Sequence, residues 1–273
     1  MDFEKQYYEA DCFWKDGMVN DEFNKNRIVK TADLIPSSVT TLADIGCGNG
    51  VFLEYLNDSK PHLDLIGVDR SETALTFVKT NKQVGDIESL PFEDNSFDCV
   101  TCLEVIEHLP VMVYKKALEE LCRISKRYVI VSVPYNEISE EGYTKCPKCL
   151  TIFNSDLHLR SFQKKDMEEL LLQNGYKCLI HQTLGEIQKL LGQHKFNRLF
   201  KSKSLYRWNS PICPLCGFSG KNNGEIEDSD SKLKDGKPNR RIINYINHLF
   251  DRFWPKVKKD YWILALYEKQ NIT

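Results

Sequence analysis

The chain predicts an α/β protein built on a doubly wound, Rossmann-like sheet. Three observations carry this reading. Short apolar runs alternate with helical patterns at the spacing of βαβ units. A glycine-rich turn joins the first run to the first helix, and the next run ends in a carboxylate about twenty residues further on.

The elements follow in order. Residues 1–40 are aromatic and charged, and "FNKNRIVKTADLI" reads as a helix up to Pro36. Then come "TLADIG" (strand), "VFLEYLND" (helix), "LDLIGVD" (strand), "SETALTFVK" (helix), "FDCVTCLEV" (strand), "VYKKALEELCRIS" (helix) and "RYVIVSVP" (strand). "SFQKKDMEELLLQNG" predicts a helix with Ser161 as N-cap and Gly175 as C-cap. "YKCLIHQTL" and "DYWILALYEK" read as strands. Residues 185–259 break the alternation and read as an insertion before the last strand. They hold a short helical piece, "EIQKLLGQHKFNRLF", and a polar stretch suited to a mobile loop. A helix follows, with Ile242, Ile246, Leu249 and Phe253 on one face.

Composition bounds the function. The 273 residues are 41% hydrophobic and 28% charged, ordinary for a protein with a real core. A formal net charge of -2 argues against a chain built as a nucleic-acid binder. No basic and apolar leader opens the sequence, and no run reaches the length of a membrane span, so a cytoplasmic protein without membrane insertion is expected.

In that compartment the ten cysteines are expected to be reduced. Cys12, Cys47, Cys99, Cys102, Cys122 and Cys178 are scattered, several in apolar runs, and read as small buried hydrophobes. The other four form two Cys-Pro-x-Cys knuckles, Cys146/Cys149 and Cys213/Cys216. Such a pair reads as four thiolates around one tetrahedral zinc. Four cysteines close the coordination sphere, which suits a structural clasp and leaves no open position for chemistry. The clasp would staple the loop after the fifth strand to the insertion.

In "LADIGCGNGVFLEYL" the glycines at 46, 48 and 50 permit positive φ and a close backbone approach to a ligand. The pattern differs from G-x-G-x-x-G, because Val51 stands where the third glycine belongs. Together with "VDRS", "GDIESLPFEDNSFD" and "EVIEHL", this order resembles the class I S-adenosylmethionine-dependent methyltransferases, particularly the ubiquinone-pathway O-methyltransferase branch. The resemblance covers about residues 40–183 and the final strand. It implies about seven strands, the last antiparallel. With the insertion and the knuckles, the chain is read as a cap at 1–40, a methyltransferase core at 41–184 plus 260–273, and a lid at 185–259 stapled by zinc to the 146–149 loop.

By the same resemblance, Asp44 and the turn Gly46, Cys47, Gly48 and Gly50 hold the methionine part of S-adenosylmethionine. Asp69 holds the ribose, Asp86 and Ile87 border the adenine, and Arg70 covers its other side. Glu104 faces the cofactor or the acceptor. Catalytic candidates are Glu107, His108 and His158: His108 as base or as a pin for its loop, His158 as a substrate-side residue. The set Glu104/Glu107/His108/His158 is similar to the magnesium- or manganese-binding set of small-RNA 2′-O-methyltransferases. The expected acceptor is a small molecule or a glycan or nucleotide-sugar precursor. A metal-dependent RNA 2′-O-methyltransferase and a non-catalytic zinc-stapled binding protein are the alternatives.

Overall fold

The computed structural model describes residues 8–9, 14, 22–137, 143–190, 213–218 and 256–270. Strands β1 (Thr41–Ile45), β2 (Asp64–Asp69), β3 (Asn81–Val84), β4 (Phe97–Leu103), β5 (Ser125–Pro134), β8 (Tyr176–Leu184) and β11 (Trp262–Lys269) form one seven-stranded sheet. Its order is β3-β2-β1-β4-β5-β11-β8, with β11 antiparallel to both its neighbours. The order reverses between β1 and β4, which opens a crevice at the carboxyl ends of those strands. The expected doubly wound sheet with an antiparallel last strand is therefore present.

Period-2 alternation sends the strand side chains to two cores. Ala43, Ile45, Val100, Val129, Val131, Ile263 and Tyr267 belong to one cluster, shared with α4 (Val111–Ile124) and α5 (Lys164–Glu169). Leu42, Leu65, Cys99, Tyr128, Ile130 and Leu266 belong to the other, shared with α1 (Glu22–Asp33) and α2 (Val51–Ser59). On α4, buried Ala117, Leu118, Leu121 and Cys122 make the inward stripe that its sequence pattern predicts. Cys47, Cys99, Cys102 and Cys122 are buried, as expected, and Cys178 is half-buried. Cys12 lies outside the described residues.

Several local expectations change. The pattern "SETALTFVK" yields only one helical turn, α3 (Glu72–Leu75), capped by Ser71. Helix α5 starts later than expected, with Gln163 rather than Ser161 as N-cap in a capping box with Asp166. The cause is tertiary: Phe162 pairs with Tyr135 in a β-bridge, which keeps that stretch extended. Gly175 does end the following 3-10 turn (Leu172–Asn174), at φ 80°. Two ribbons flank the sheet, β6 (Tyr143–Lys145) with β7 (Ile152–Asn154), and β9 (Ile187–Leu190) with β10 (Lys256–Lys259). The start of the expected helical piece "EIQKLLGQ" is therefore a strand. Its pairing with β10 brings the two ends of 185–259 together. The polar stretch and the helix around Ile242–Phe253 lie outside the described residues.

Candidate functional site

The glycine turn sits at the end of β1, in the crevice. Gly46, Gly48 and Gly50 all have positive φ, at 76°, 54° and 79°. Side chains are also excluded by space. A Cβ on Gly46 would lie 2.4 Å from Val105 Cγ2, and one on Gly48 would lie 2.7 Å from the Trp14 ring. Between them, Cys47 turns its side chain into the core, so it can offer a ligand only its backbone. Burial holds its thiol well above the ordinary range.

Two carboxylates close on this turn. Asp69 ends β2, and its Oδ2 accepts the Gly48 N–H at 2.8 Å while Oδ1 accepts the Ser71 N–H at 2.8 Å. Burial raises its pKa, while those N–H bonds pull the other way. Asp44, 2% exposed, accepts the Thr101 hydroxyl at 2.6 Å. Burial pushes its pKa up to about 7. Beside Asp69, Arg70 Nε lies 3.9 Å from Asp86 Oδ1, and Ile87 packs against the core. These positions gather at the ends of β1, β2 and β3.

The second half of the crevice follows β4. Glu104 adopts a left-handed φ of 58° and is pinned at both oxygens, by Ser132 Oγ at 2.7 Å and Trp262 Nε1 at 2.8 Å. Glu107 is fully buried, and among the described residues neither of its oxygens has a hydrogen-bond partner. Burial, then the charge of Glu104, raises its pKa well above the usual carboxylate range. His108 Nε2 lies 3.8 Å from Glu107, and its Nδ1 is likewise buried without a partner. Burial, then His158, lowers the His108 pKa to about 3.

His158 stacks edge-on against His108 at 4.7 Å, and its Nδ1 lies 2.5 Å from Glu137 Oε2. Burial alone would lower its pKa, but the bond to Glu137 and the surrounding carboxylates raise it. One ligand atom each from Glu107, His108 and His158 lie within 4.8 Å of one another. Glu104, its carboxylate held by Ser132 and Trp262, is not part of that cluster.

Sequence reasoning missed three groups here. Arg27 lies on the same face of α1 as Phe23, one turn on, and both pack on Trp262. Among the described residues its buried Nε has no hydrogen-bond partner, and its charge acts on Asp44 and Glu107. Their i, i+4 spacing was the available signal. Glu137 and Asp156, the other acids beside His158, carried no local signal. The N-terminal stretch also reaches the crevice. Tyr8 O accepts Trp14 Nε1 and Ser71 Oγ, Glu9 accepts the N–H groups of Glu72 and Thr73, and the Tyr8 ring meets His108 edge-on at 6.1 Å.

The two knuckles come together. Cys146 Sγ lies 3.7 Å from Cys216 Sγ, and Cys149 Sγ lies 3.7 Å from Cys213 Sγ. A disulfide needs about 2.05 Å. A tetrahedron with Zn–S bonds of about 2.3 Å has edges of about 3.75 Å, so the chemistry and spacing of the four thiols fit zinc. The halves repeat one another. Leu150 N–H donates to Cys146 O and Gly217 N–H to Cys213 O. Cys146 N–H donates to Thr151 O and Cys213 N–H to Phe218 O. Leu150 and Gly217 occupy equivalent left-handed positions, at φ 64° and 68°. Leu150 is 62% exposed, so its side chain contributes little burial there. Replacing Leu150 with Gly should therefore raise stability by about 0.5–1 kcal/mol, because relief of the left-handed strain exceeds glycine's entropy cost. Chemical denaturation of the zinc-loaded protein checks this, and a loss of stability would contradict it.

The fold is the doubly wound, Rossmann-like α/β fold that methyltransferases use. Residues 43–131 match the family model described as methyltransferase domain. The chain is 32% identical over 148 residues to the small RNA 2′-O-methyltransferase of Arabidopsis thaliana, spanning 48% of this chain and 16% of that protein. It is 37% identical over 76 residues to the ubiquinone biosynthesis O-methyltransferase of Coxiella burnetii, spanning 24% of this chain and 32% of that one. The chain thus spans a third or less of the length of these two relatives. A Haloferax volcanii methyltransferase, solved in complex with the Trm112 methyltransferase activator, aligns over 99% of both chains with a TM-score of 0.54 at 15% identity, a likeness of fold. Among the described residues no helix is long and apolar enough to cross a membrane.

Proposed function

We propose that the chain transfers a methyl group from S-adenosylmethionine to an oxygen or nitrogen of a small molecule, or of a glycan or nucleotide-sugar precursor. A structural zinc holds the loop at 143–154 against the segment at 213–218. The observation that carries the reading is the glycine turn of β1, closed to side chains and tied to Asp69 within the crevice. The match to a methyltransferase domain over residues 43–131 supports it.

When bound, the cofactor supplies an electrophilic methyl group on a sulfonium, so the protein's task is mainly positioning. Asp69 offers its remaining lone pairs to the ribose hydroxyls, with Arg70, Asp86 and Ile87 around the base. Asp44 faces the ammonium of the methionine tail, and Arg27 supplies a positive charge for its carboxylate. Glu104, fixed by Ser132 and Trp262, borders the transferred group. Of the two histidines we assign proton acceptance from the acceptor to His158. A pKa of about 3 makes His108 too weak a base near neutrality, and it serves to pack His158.

Calorimetry with S-adenosylhomocysteine tests the reading without knowledge of the acceptor. A binding isotherm is expected, and no heat at high micromolar ligand would leave a non-catalytic zinc-stapled protein instead. The same titration carries a pH signature. With a folded pKa of about 7, above the ordinary carboxylate value, Asp44 keeps its proton in the free protein below that pH. The free fold therefore loses the stability this group contributes as pH rises from about 4 to 7. Binding a ligand ammonium needs the carboxylate, so affinity should be about tenfold weaker at pH 6 than at pH 8. A flat profile between those values would remove Asp44 from the ammonium site.

A second reading, a divalent cation held by Glu107, His108 and His158 as part of an RNA 2′-O-methyltransferase, is favoured by one observation. Buried oxygens and a ring nitrogen without partners suit a cation. Manganese binding followed by electron paramagnetic resonance, lost in Glu107→Gln, would establish that site; its absence in the wild type would exclude it.

A further inference from the structure

Glu137 and His158 come from different loops, and each is fixed independently. On one side, Tyr135 N–H donates to Tyr261 O at 2.7 Å and Asn136 N–H to Phe162 O at 2.8 Å, which sets the chain direction into Glu137. On the other, Asn154 Oδ1 accepts the Asp156 N–H at 2.8 Å, and Leu157 takes a left-handed φ of 60°. Leu159 N–H then donates to Glu107 O at 2.9 Å, and Arg160 binds Ile106 O while lying over the Tyr114 ring at 4.0 Å. The imidazole between these anchors is 8% exposed and the Glu137 carboxylate 15% exposed. Their contact is therefore built by both loops and shielded from water.

An ionised carboxylate can only accept hydrogen bonds, so at 2.5 Å the proton of the contact belongs to His158 Nδ1. Which ring nitrogen carries the proton is decided by the bond the other one makes. Resting on the methyltransferase reading above, we infer that Glu137 is a positioning residue: it locks His158 as the Nδ1–H tautomer and so leaves the Nε2 lone pair for the acceptor. In the transfer step, Nε2 takes the acceptor's O–H or N–H proton as the methyl passes from the sulfonium to that atom. The sulfur leaves as a neutral thioether. Glu137 keeps its bond to Nδ1–H while the imidazolium forms. His108 packs edge-on against the His158 ring at 4.7 Å and so opposes a χ2 flip, which would put Cδ2 where Nδ1 faces Glu137. Among the described residues Glu137 is the hydrogen-bond partner of Nδ1, so without it the proton is free to occupy Nε2, where it blocks the reaction.

The tautomer is directly readable. Full-length, zinc-loaded protein labelled with ¹⁵N at histidine is recorded by two-bond ¹H–¹⁵N correlation from about pH 8.5 upward, until the His158 signals stop moving with pH and the ring is neutral. His158 is assigned by its absence in His158→Gln. The wild type should show Nδ1 protonated and Nε2 bare; Glu137→Ala should move the proton to Nε2; Glu137→Asp should keep it at Nδ1 in a substantial fraction of molecules. An Nε2–H pattern in the wild type overturns the inference, even if Glu137→Ala proves unstable. Calorimetry with S-adenosylhomocysteine on the same samples separates the two claims. Lost binding in the wild type refutes the methyltransferase reading and leaves the tautomer result standing. An Nε2–H wild type that binds the ligand refutes only the role of Glu137. With an acceptor in hand, turnover in Glu137→Ala should fall about 100-fold or more with KM for S-adenosylmethionine unchanged. Unchanged turnover would again overturn it.

Discussion

Asp69→Ala should reduce affinity for S-adenosylhomocysteine by roughly 100-fold or more while leaving the sheet folded. The residue acts twice. Its two oxygens hold the Gly48 and Ser71 N–H groups at 2.8 Å each, tying the glycine turn to the cap of α3. Removal strands two sheltered donors, each costing about 1–3 kcal/mol, and the turn loses the contact that sets its approach to a ligand. It also removes the carboxylate proposed to accept the ribose hydroxyls. Asp69→Asn separates these contributions. An amide can keep one of the two N–H contacts, but it turns a donor toward the other and carries no charge. Its affinity should fall between wild type and Asp69→Ala. Circular dichroism and zinc content establish that each variant is folded, and calorimetry gives the affinities. Binding within a few-fold of wild type in Asp69→Ala would place the cofactor elsewhere.

The parts of this site that were legible in the sequence are those whose chemistry is local. "DIGCGNG" is readable because glycine at every second position after an apolar strand specifies a left-handed turn with its backbone open to a ligand. Asp69 is readable because it ends the next strand, and the knuckles from their internal spacing. Strand β3 is not: Asn81–Val84 is exposed along its whole length at the sheet edge, so no apolar pattern marks it. Ser161 made a reasonable cap by residue type, yet the bridge between Phe162 and Tyr135 moved the helix start to Gln163. Glu137 was invisible for a stronger reason. Its significance is the 2.5 Å contact with His158 from another loop, and a carboxylate in a loop is ordinary until its partner is known. Arg27 was hidden differently, as one cation among several on a charged helix, until Trp262 and Asp44 were brought beside it from other strands.

Protein purified without chelator should carry one zinc per chain, and Cys146→Ser/Cys213→Ser should carry none. The loss should be large but local. Structural zinc contributes about 10–16 kcal/mol of apparent binding energy in small fingers, because the unfolded chain has no preformed site. Cys146 and Cys213 are fully buried, while their neighbours Leu150 and Leu215 are exposed at 62% and 61%. The sheet does not depend on them, since its two cores are assembled from β1, β2, β4, β5, β8, β11 and the helices. Hydrogen exchange should therefore rise steeply over 143–154 and 213–218 in the variant, with protection in β1, β4 and β5 retained. Chelator treatment of the wild type should reproduce that pattern, and added zinc should reverse it. Zinc well below one equivalent in the untreated wild type would sink the assignment. Exchange that rises equally across the sheet would show instead that the clasp supports the fold. The local outcome matters for function, because His158 lies only a few residues beyond β7 (Ile152–Asn154), the strand that closes the first knuckle loop. Releasing the zinc should loosen the loop that presents His158 to Glu137, so the Nδ1–H pattern of His158 should weaken in the chelated protein although every residue of the couple is intact.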